Sequence, residues 1–341
     1  RSPRWYSLVM ANPILVEITR GNIVESVHRG AIAVADASGA IRASIGDIET
    51  PVYSRSSLKP MQAIPLVESG AAEAFGLSDE EIALACASHS GEPMHTERVA
   101  AWLTRIGLTE NDLACGAHAS RYEPVAEVMI REHRKPTRIF NNCSGKHTGF
   151  LTVARHWDIA TAAYEKESHP VQQAVAAALS ELSGADELPW GIDGCAAPNF
   201  ATSLAAFARA AAKMAAPDAL EPVRGSACRR IIGSMIKHPL LMSGTGRVCA
   251  TLISAGAGRV AVKTGAEGFF GGWLPDLGLG IAIKIDDGAG RGAETVIAAV
   301  LDKLGLLGDA ARNILRAPVL NTRGATVGER RPAPALETFH V

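Results

Sequence analysis

The sequence predicts an α/β chain of the α+β kind, in which a central, mainly antiparallel sheet is flanked by helices and interrupted by a large helical middle region. Three observations lead there. Runs rich in β-branched residues, bounded by turn residues, collect near the N-terminus and again in the last third. Between them apolar residues recur at helical spacing, and two segments are dominated by alanine. No internal repeat, low-complexity linker or shift in composition divides the 341 residues. One unit is therefore expected over residues 10–341, with sheet from about 10–55 and 245–320 and the helical region at about 56–244. Residues 1–9, which precede Met10-Ala-Asn-Pro, are read as a cloning scar or an upstream extension.

Taken in order, residues 14–19 and 30–36 read as strands, and the Ala37-Ser38-Gly39 turn lets residues 40–46 return as a hairpin partner. The charged residues in and between the first two strands (Glu17, Arg20, Glu25, His28, Arg29) read best as a paired, solvated surface. Residues 61–68 form an amphipathic run in which Pro65 introduces a kink. Ser78 and Glu81 make a capping box that opens a helix ending at Ser88-His89-Ser90-Gly91. Further helices are expected at 96–106, 123–132, 171–182, 201–215, 227–236 and 293–304. Two polar turns interrupt the middle, Asn141-Asn142-Cys143-Ser144-Gly145-Lys146-His147 and Asp193-Gly194-Cys195. The first would aim N–H groups of a helix start at an anion or a carbonyl oxygen, but lacks the leading glycine of a P-loop. Residues 258–263 and 278–285 read as late strands, and the tail beyond Arg323 as loosely packed.

Bulk properties exclude several classes. Charged residues are 20% and apolar ones 47% of the chain, as in an ordinary globular protein. Formal net charge is −1 and no basic stripe interleaves with aromatics, so no nucleic-acid partner is expected. No apolar run is long enough to span a bilayer, and no apolar signal core follows the N-terminal charges. Six cysteines scattered over so long a chain do not make a disulfide framework. A reducing cytoplasm with mostly buried thiols is expected instead.

The chemistry centres on Ser56 and Lys59, three apart where a helix begins. That spacing puts both on one face, and a desolvated amine can serve a serine hydroxyl as base. Alone, Ser-x-x-Lys is as well explained by a helix cap and a surface lysine. Lys263-Thr264-Gly265 at a late strand end strengthens it, because penicillin-recognising serine hydrolases pair these two elements. Their third element, Ser-x-Asn, has only a loose counterpart in Ser88-His89-Ser90.

Ser56-Ser57-Leu58-Lys59-Pro60, Cys86-Ala87-Ser88-His89-Ser90, Asn142-Cys143-Ser144-Gly145-Lys146-His147 and Asp193-Gly194-Cys195 occur together and in this order. In this the chain resembles the rhizobial-type, or class 3, L-asparaginases (the asparaginase II family), over nearly its whole length. The resemblance implies a serine β-lactamase/glutaminase-like fold, hydrolysis of L-asparagine to aspartate and ammonia, and a homodimer. It implies two serine–lysine pairs, Ser56 with Lys59 and Ser88 with Lys263, and a zinc site at Cys143, Lys146 and Cys195. Spacing alone would leave those two thiols as buried cysteines. Zinc would act as a Lewis acid or position the substrate.

Asp193 is expected to hold the substrate α-ammonium or to anchor Lys146. Arg55 is either the partner of the α-carboxylate or a surface cation. His89 and Asn142 are further candidates for substrate contact. The alternatives are a glutaminase, a penicillin-recognising hydrolase, or a non-catalytic zinc-dependent amino-acid-binding protein.

Overall fold

The computed structural model describes residues 11–341; the expectation for residues 1–9 lies outside the described residues. Eleven strands form among these: β1 (Ile14–Arg20), β2 (Ile23–Asp36), β3 (Ile41–Ile45), β4 (Val52–Tyr53), β5 (Trp190–Ile192), β6 (Pro198–Thr202), β7 (Ala261–Thr264), β8 (Phe269–Leu274), β9 (Leu279–Ile285), β10 (Ala317–Leu320) and β11 (Thr326–Pro332). Eight of them build one curled antiparallel sheet in the order β10-β11-β1-β2-β9-β8-β7, with β3 also paired to β2. The long β2 explains the curl. Its first half pairs with β1, and its second half, from Gly30 on, pairs with β9 and β3. The mainly antiparallel sheet and helical middle are as the sequence predicts.

The alanine-rich helix Leu204–Ala215 packs on β9, β2 and β8. Its composition has a steric reason. A Cβ on Gly280 of β9 would meet the Ala208 carbonyl oxygen at 2.2 Å, so helix and strand backbones touch, which only small residues permit. Phe207 stands at one side of that contact and packs edge-on against Phe269 and Trp273. Helix Gly290–Lys303 packs on β8, β9, β1 and β11.

Between β3 and β7 lie the helices that carry the site, and a small sheet in the order β4-β6-β5. Three expectations are revised. Residues 198–202 are strand β6, and the alanine-rich helix starts only at Leu204. The run 61–68 is two short helices, Lys59–Gln62 and Ile64–Glu68, broken just before Pro65. The tail is not loose: β11 pairs with both β1 and β10, and Leu336 beyond it is fully buried.

Candidate active site

The site begins at a turn. After β4 the chain enters a short 3₁₀ helix, Arg55–Leu58. Arg55 there holds φ at 51°, a left-handed conformation that a non-glycine residue adopts only where its surroundings enforce it. The enforcement comes from β7. Ser57 Oγ donates to the Lys263 carbonyl at 2.6 Å. A Cβ on Gly265 would meet the Ser54 carbonyl oxygen at 2.4 Å. The Lys-Thr-Gly sequence thus brings the strand end directly against the Ser56 turn.

Three of the four catalytic candidates converge. Lys59 Nζ lies 3.0 Å from Ser88 Oγ and Lys263 Nζ lies 2.7 Å from the same atom. Both lysines are 1% exposed and Ser88 is 6% exposed. Lys59 also donates to the carbonyls of Ala87 at 2.5 Å and Asn142 at 3.3 Å. It thus meets three acceptors, the full donor complement of an ammonium group. Lys263 donates in addition to the Thr264 carbonyl at 2.8 Å. Burial first, and the neighbouring Lys59 second, push the Lys263 amine down to about 7. It therefore has a neutral form near neutral pH, able to accept a proton.

Ser56 and Lys59, expected as a pair, share a turn, but no hydrogen bond joins them among the described residues. Lys59 turns inward to Ser88, while Ser56 faces an open cleft.

The metal candidates form a second cluster beside the first. Cys143 caps the helix Ser144–His156, and Asp193 and Cys195 sit in the tight turn between β5 and β6. The Sγ atoms of Cys143 and Cys195 and a carboxylate oxygen of Asp193 all lie within 4.8 Å of one another. Lys146 Nζ is 3.1 Å from Cys195 Sγ. The adjoining Cys143 thiol lowers the Cys195 thiol to about 5 against the cost of burial, with Lys146 assisting. Cys143, beside Cys195 and fully buried, is pushed up to about 12. Burial works against the Lys146 ammonium, but the Cys195 and Cys143 sulfurs outweigh it and raise the amine. Burial likewise opposes the Asp193 charge, and Lys146 and Arg55 outweigh it, holding the carboxyl below its usual value. Two thiols and a carboxylate converging from two turns fit zinc by donor type and separation, and Lys146 would join them on losing its proton. Asp193, expected to hold the α-ammonium or to anchor Lys146, lies within reach of that donor set.

Ser56, Cys143, Asp193 and Cys195 face one cleft of about 200 Å³, lined also by Arg55, Asn141, Asn142 and Ala266. Arg55 Nε donates to Asp193 Oδ1 at 2.7 Å. Asn142 carries no side-chain hydrogen bond among the described residues except the one its oxygen accepts from Cys143 Sγ at 3.3 Å. His89 is corrected: it does not line the cleft. Its Nδ1 accepts from the Gly91 N–H at 3.2 Å and its Nε2 lies 2.9 Å from Ser144 Oγ. Burial and the stacked His95 keep it neutral, so it braces the Ser88 segment against the helix behind Cys143. His118 and Arg121 also line the cleft and were missed; a histidine and an arginine in the polar loop Gly116-Ala-His-Ala-Ser-Arg121 were the available signal. A larger cavity, about 730 Å³, lies between helices Pro93–Arg105 and Glu123–Arg131, but no serine, lysine or cysteine lines it.

No curated protein matches the chain at the sequence level. Among solved structures, a β-lactamase from Mycobacterium bovis is 16% identical with a TM-score of 0.41, over 84% of this chain and 93% of that one. Mglu in its native form is 15% identical with a TM-score of 0.42, over 78% of this chain and 61% of that one. A Bacillus glutaminase is 13% identical with a TM-score of 0.38, over 82% and 91%. The family model described as L-asparaginase II matches residues 16–332, almost the entire described chain. The chain belongs to the L-asparaginase II family.

Proposed function

We propose that the protein is an L-asparagine amidohydrolase, releasing L-aspartate and ammonia through serine–lysine chemistry beside a zinc site. The observation that carries this reading is one hydroxyl, Ser88, held by two buried lysine amines behind a cleft that opens on a second serine, Ser56. An amide is a poor electrophile with a poor leaving group, so its hydrolysis needs a nucleophile, a base and a proton donor together.

In this reading Ser56 attacks the side-chain amide carbon. Its proton passes to Lys59 as Lys59 hands one on, through the Ser88 hydroxyl, to neutral Lys263. The C–N bond of the tetrahedral adduct then breaks, and the proton returns along the chain to the departing nitrogen as ammonia. Water cleaves the Ser56 ester by the same steps, giving aspartate. The Ser56–Lys59 contact that this requires forms with substrate bound, since catalytic hydrogen bonds commonly tighten only in that complex. Cys143, Lys146 and Cys195 would hold zinc, with Asp193 beside them. When bound, the metal supplies polarisation or orientation of the substrate.

A second reading, in which Ser88 itself attacks, is favoured by its contact with both amines. An asparagine-derived diazoketone followed by peptide mapping separates the two: the label sits on Ser56 in the first and on Ser88 in the second. Ammonia release from L-asparagine, assayed beside L-glutamine and a β-lactam, tests the activity itself. Ser56→Ala is expected to lower turnover by about three orders of magnitude or more with the fold intact. Near-normal release by that variant removes Ser56 from the mechanism.

Metal analysis of protein purified without chelator is expected to find about one zinc per chain, lost in Cys143→Ala together with substrate affinity. A metal-free protein with full activity removes the metal from the proposal. The enzyme is proposed to be a cytoplasmic homodimer, which light scattering tests as the mass of two chains against one. Among the described residues no helix is long and apolar enough to cross a membrane.

A further inference from the structure

We propose that Arg121 is the carboxylate-binding residue of the cleft, the group that selects substrates carrying a free α-carboxylate. The inference rests on the asparaginase reading for the substrate's identity and adds the residue that recognises its acid group. The cleft offers few groups for that task, and most are already engaged. Arg55 is matched by Asp193 at 2.7 Å, so an incoming carboxylate would meet a neutral pair rather than a cation. His118 Nε2 accepts the Asn142 N–H at 2.8 Å, and its Nδ1 donates to the Ala119 carbonyl at 2.8 Å, leaving no free ring nitrogen. Asn141 donates to the Gly116 carbonyl at 2.5 Å and accepts from the Cys143 N–H at 2.9 Å. The thiols and Asp193 repel anions when ionised.

Arg121 is different. It lines the cleft, and its guanidinium makes no hydrogen bond or ion pair among the described residues. Its backbone is nevertheless fixed, since the Arg121 N–H donates to the Ser90 carbonyl at 2.8 Å. Ser120 Oγ donates to the same oxygen at 2.8 Å. Ser90 is two residues from Ser88, so the cation is registered to the segment that carries the lysine-bound hydroxyl. A guanidinium fork suits a carboxylate better than a single amine does, because it can donate two parallel hydrogen bonds. With Arg121 for the α-carboxylate and Ser56 for the amide, the cleft presents two points to one amino acid, and the charge at the first complements that of the substrate's acid group.

The experiment compares L-asparagine with L-asparaginamide, whose α-carboxylate is replaced by a neutral amide. Arg121→Gln is expected to raise KM for L-asparagine by about 10- to 100-fold, with kcat within a few-fold and little change toward L-asparaginamide. Arg121→Lys keeps the charge without the fork and is expected to fall between. An unchanged KM for L-asparagine overturns the proposal, and so does an equal loss on both substrates, which is the mark of a structural role. Calorimetric binding of L-aspartate to the wild type and to Arg121→Gln gives a readout independent of turnover. If the wild type releases no ammonia, the proposed activity fails, yet aspartate binding that depends on Arg121 still supports this assignment. Binding by both proteins alike, or by neither, overturns it. Melting curves of the variants confirm that the fold is retained.

Discussion

At the residue scale, the proposed chemistry depends on a lysine that the fold holds at a cost. Lys263 is fully buried beside another lysine, and its amine is brought down to about 7 from the ordinary 10.5. If neutral Lys263 is the final proton acceptor, kcat/KM should rise by about tenfold per pH unit below that value and level off above it. A profile flat from pH 5 to 9 would remove it as the base. The same shift affects stability. Between about 7 and 10.5 the unfolded chain binds a proton at this lysine that the folded chain does not. The wild type therefore gains stability as pH rises through that window, and the cost is fully present below it. Lys263→Met should abolish activity and yet raise Tm at pH 6, with a smaller gain at pH 10, as when a strained catalytic group is replaced. A lower Tm at pH 6 would show that the lysine's hydrogen bonds outweigh its burial.

The sequence made the serines, lysines and cysteines of the site visible, but not their partners. Spacing of three correctly put Ser56 and Lys59 in one turn. It could not reveal that the amine ends on Ala87, Ser88 and Asn142, because a long flexible side chain is directed by acceptors that tertiary structure delivers. His89 was misread for the same reason: its two partners, one nearby and one on a distant helix, exist only once the fold has formed.

At the element scale, two helices meet behind the site with no room between them. Helix Asp79–Ala85 leads into Ser88, and helix Ser144–His156 follows Cys143 and carries Lys146. A Cβ on Gly145 would meet the Leu84 carbonyl oxygen at 2.3 Å. Gly145→Ala should therefore push the helices apart, costing about 1–3 kcal/mol and misplacing both the proposed zinc ligands and the Ser88 segment. Gly149, one turn on, is the control: its nearest neighbour would be a leucine methyl at 3.4 Å, so Gly149→Ala should melt close to the wild type. If the two variants prove equally stable and active, the close approach is not what Gly145 provides. The element reading from sequence did well wherever a local signal sufficed. The Ser78–Glu81 capping box forms as read, and the helix over residues 171–182 lies within Pro170–Ser183. It failed for β6 because Ala201 and the alanines after it look helical, while pairing with β5 and β4 decides the strand. Strand β8, with Gly271 and Gly272 at its centre, has weak local preference and is fixed by β7 and β9 on either side.

At the scale of the whole molecule, the fold is closed by pairing its two ends. β11 lies between β10 and β1, with Val16 opposite Pro332 and Glu17 opposite Arg331. The Arg331 guanidinium is bonded to Glu17 at 3.0 Å. Just past β11, Ala333 donates its N–H to the Leu15 carbonyl at 2.9 Å, and Leu336 and Phe339 are buried. These contacts span most of the chain, and so no sequence window could contain their signal; proline and charge in the tail pointed instead to a loose end. The active site depends on this closure indirectly: Lys263 is on β7, and β7 is held through β8 and β9 to β2, which β1 and β11 extend. Deleting residues 324–341 would strip β1 of a partner along one edge and expose a row of unpaired N–H and C=O groups, an aggregation-prone surface. It would also remove buried side chains such as Leu336, each worth about 2–5 kcal/mol on truncation to alanine. That is a large part of the roughly 5–15 kcal/mol that holds an ordinary domain together. The shortened chain is therefore expected to be recovered aggregated or without a cooperative melt, and without ammonia release. A deletion that melts cooperatively within a few degrees of the full chain, with its activity intact, would show that the sheet from β1 to β7 stands without its last two elements and that the tail only covers it.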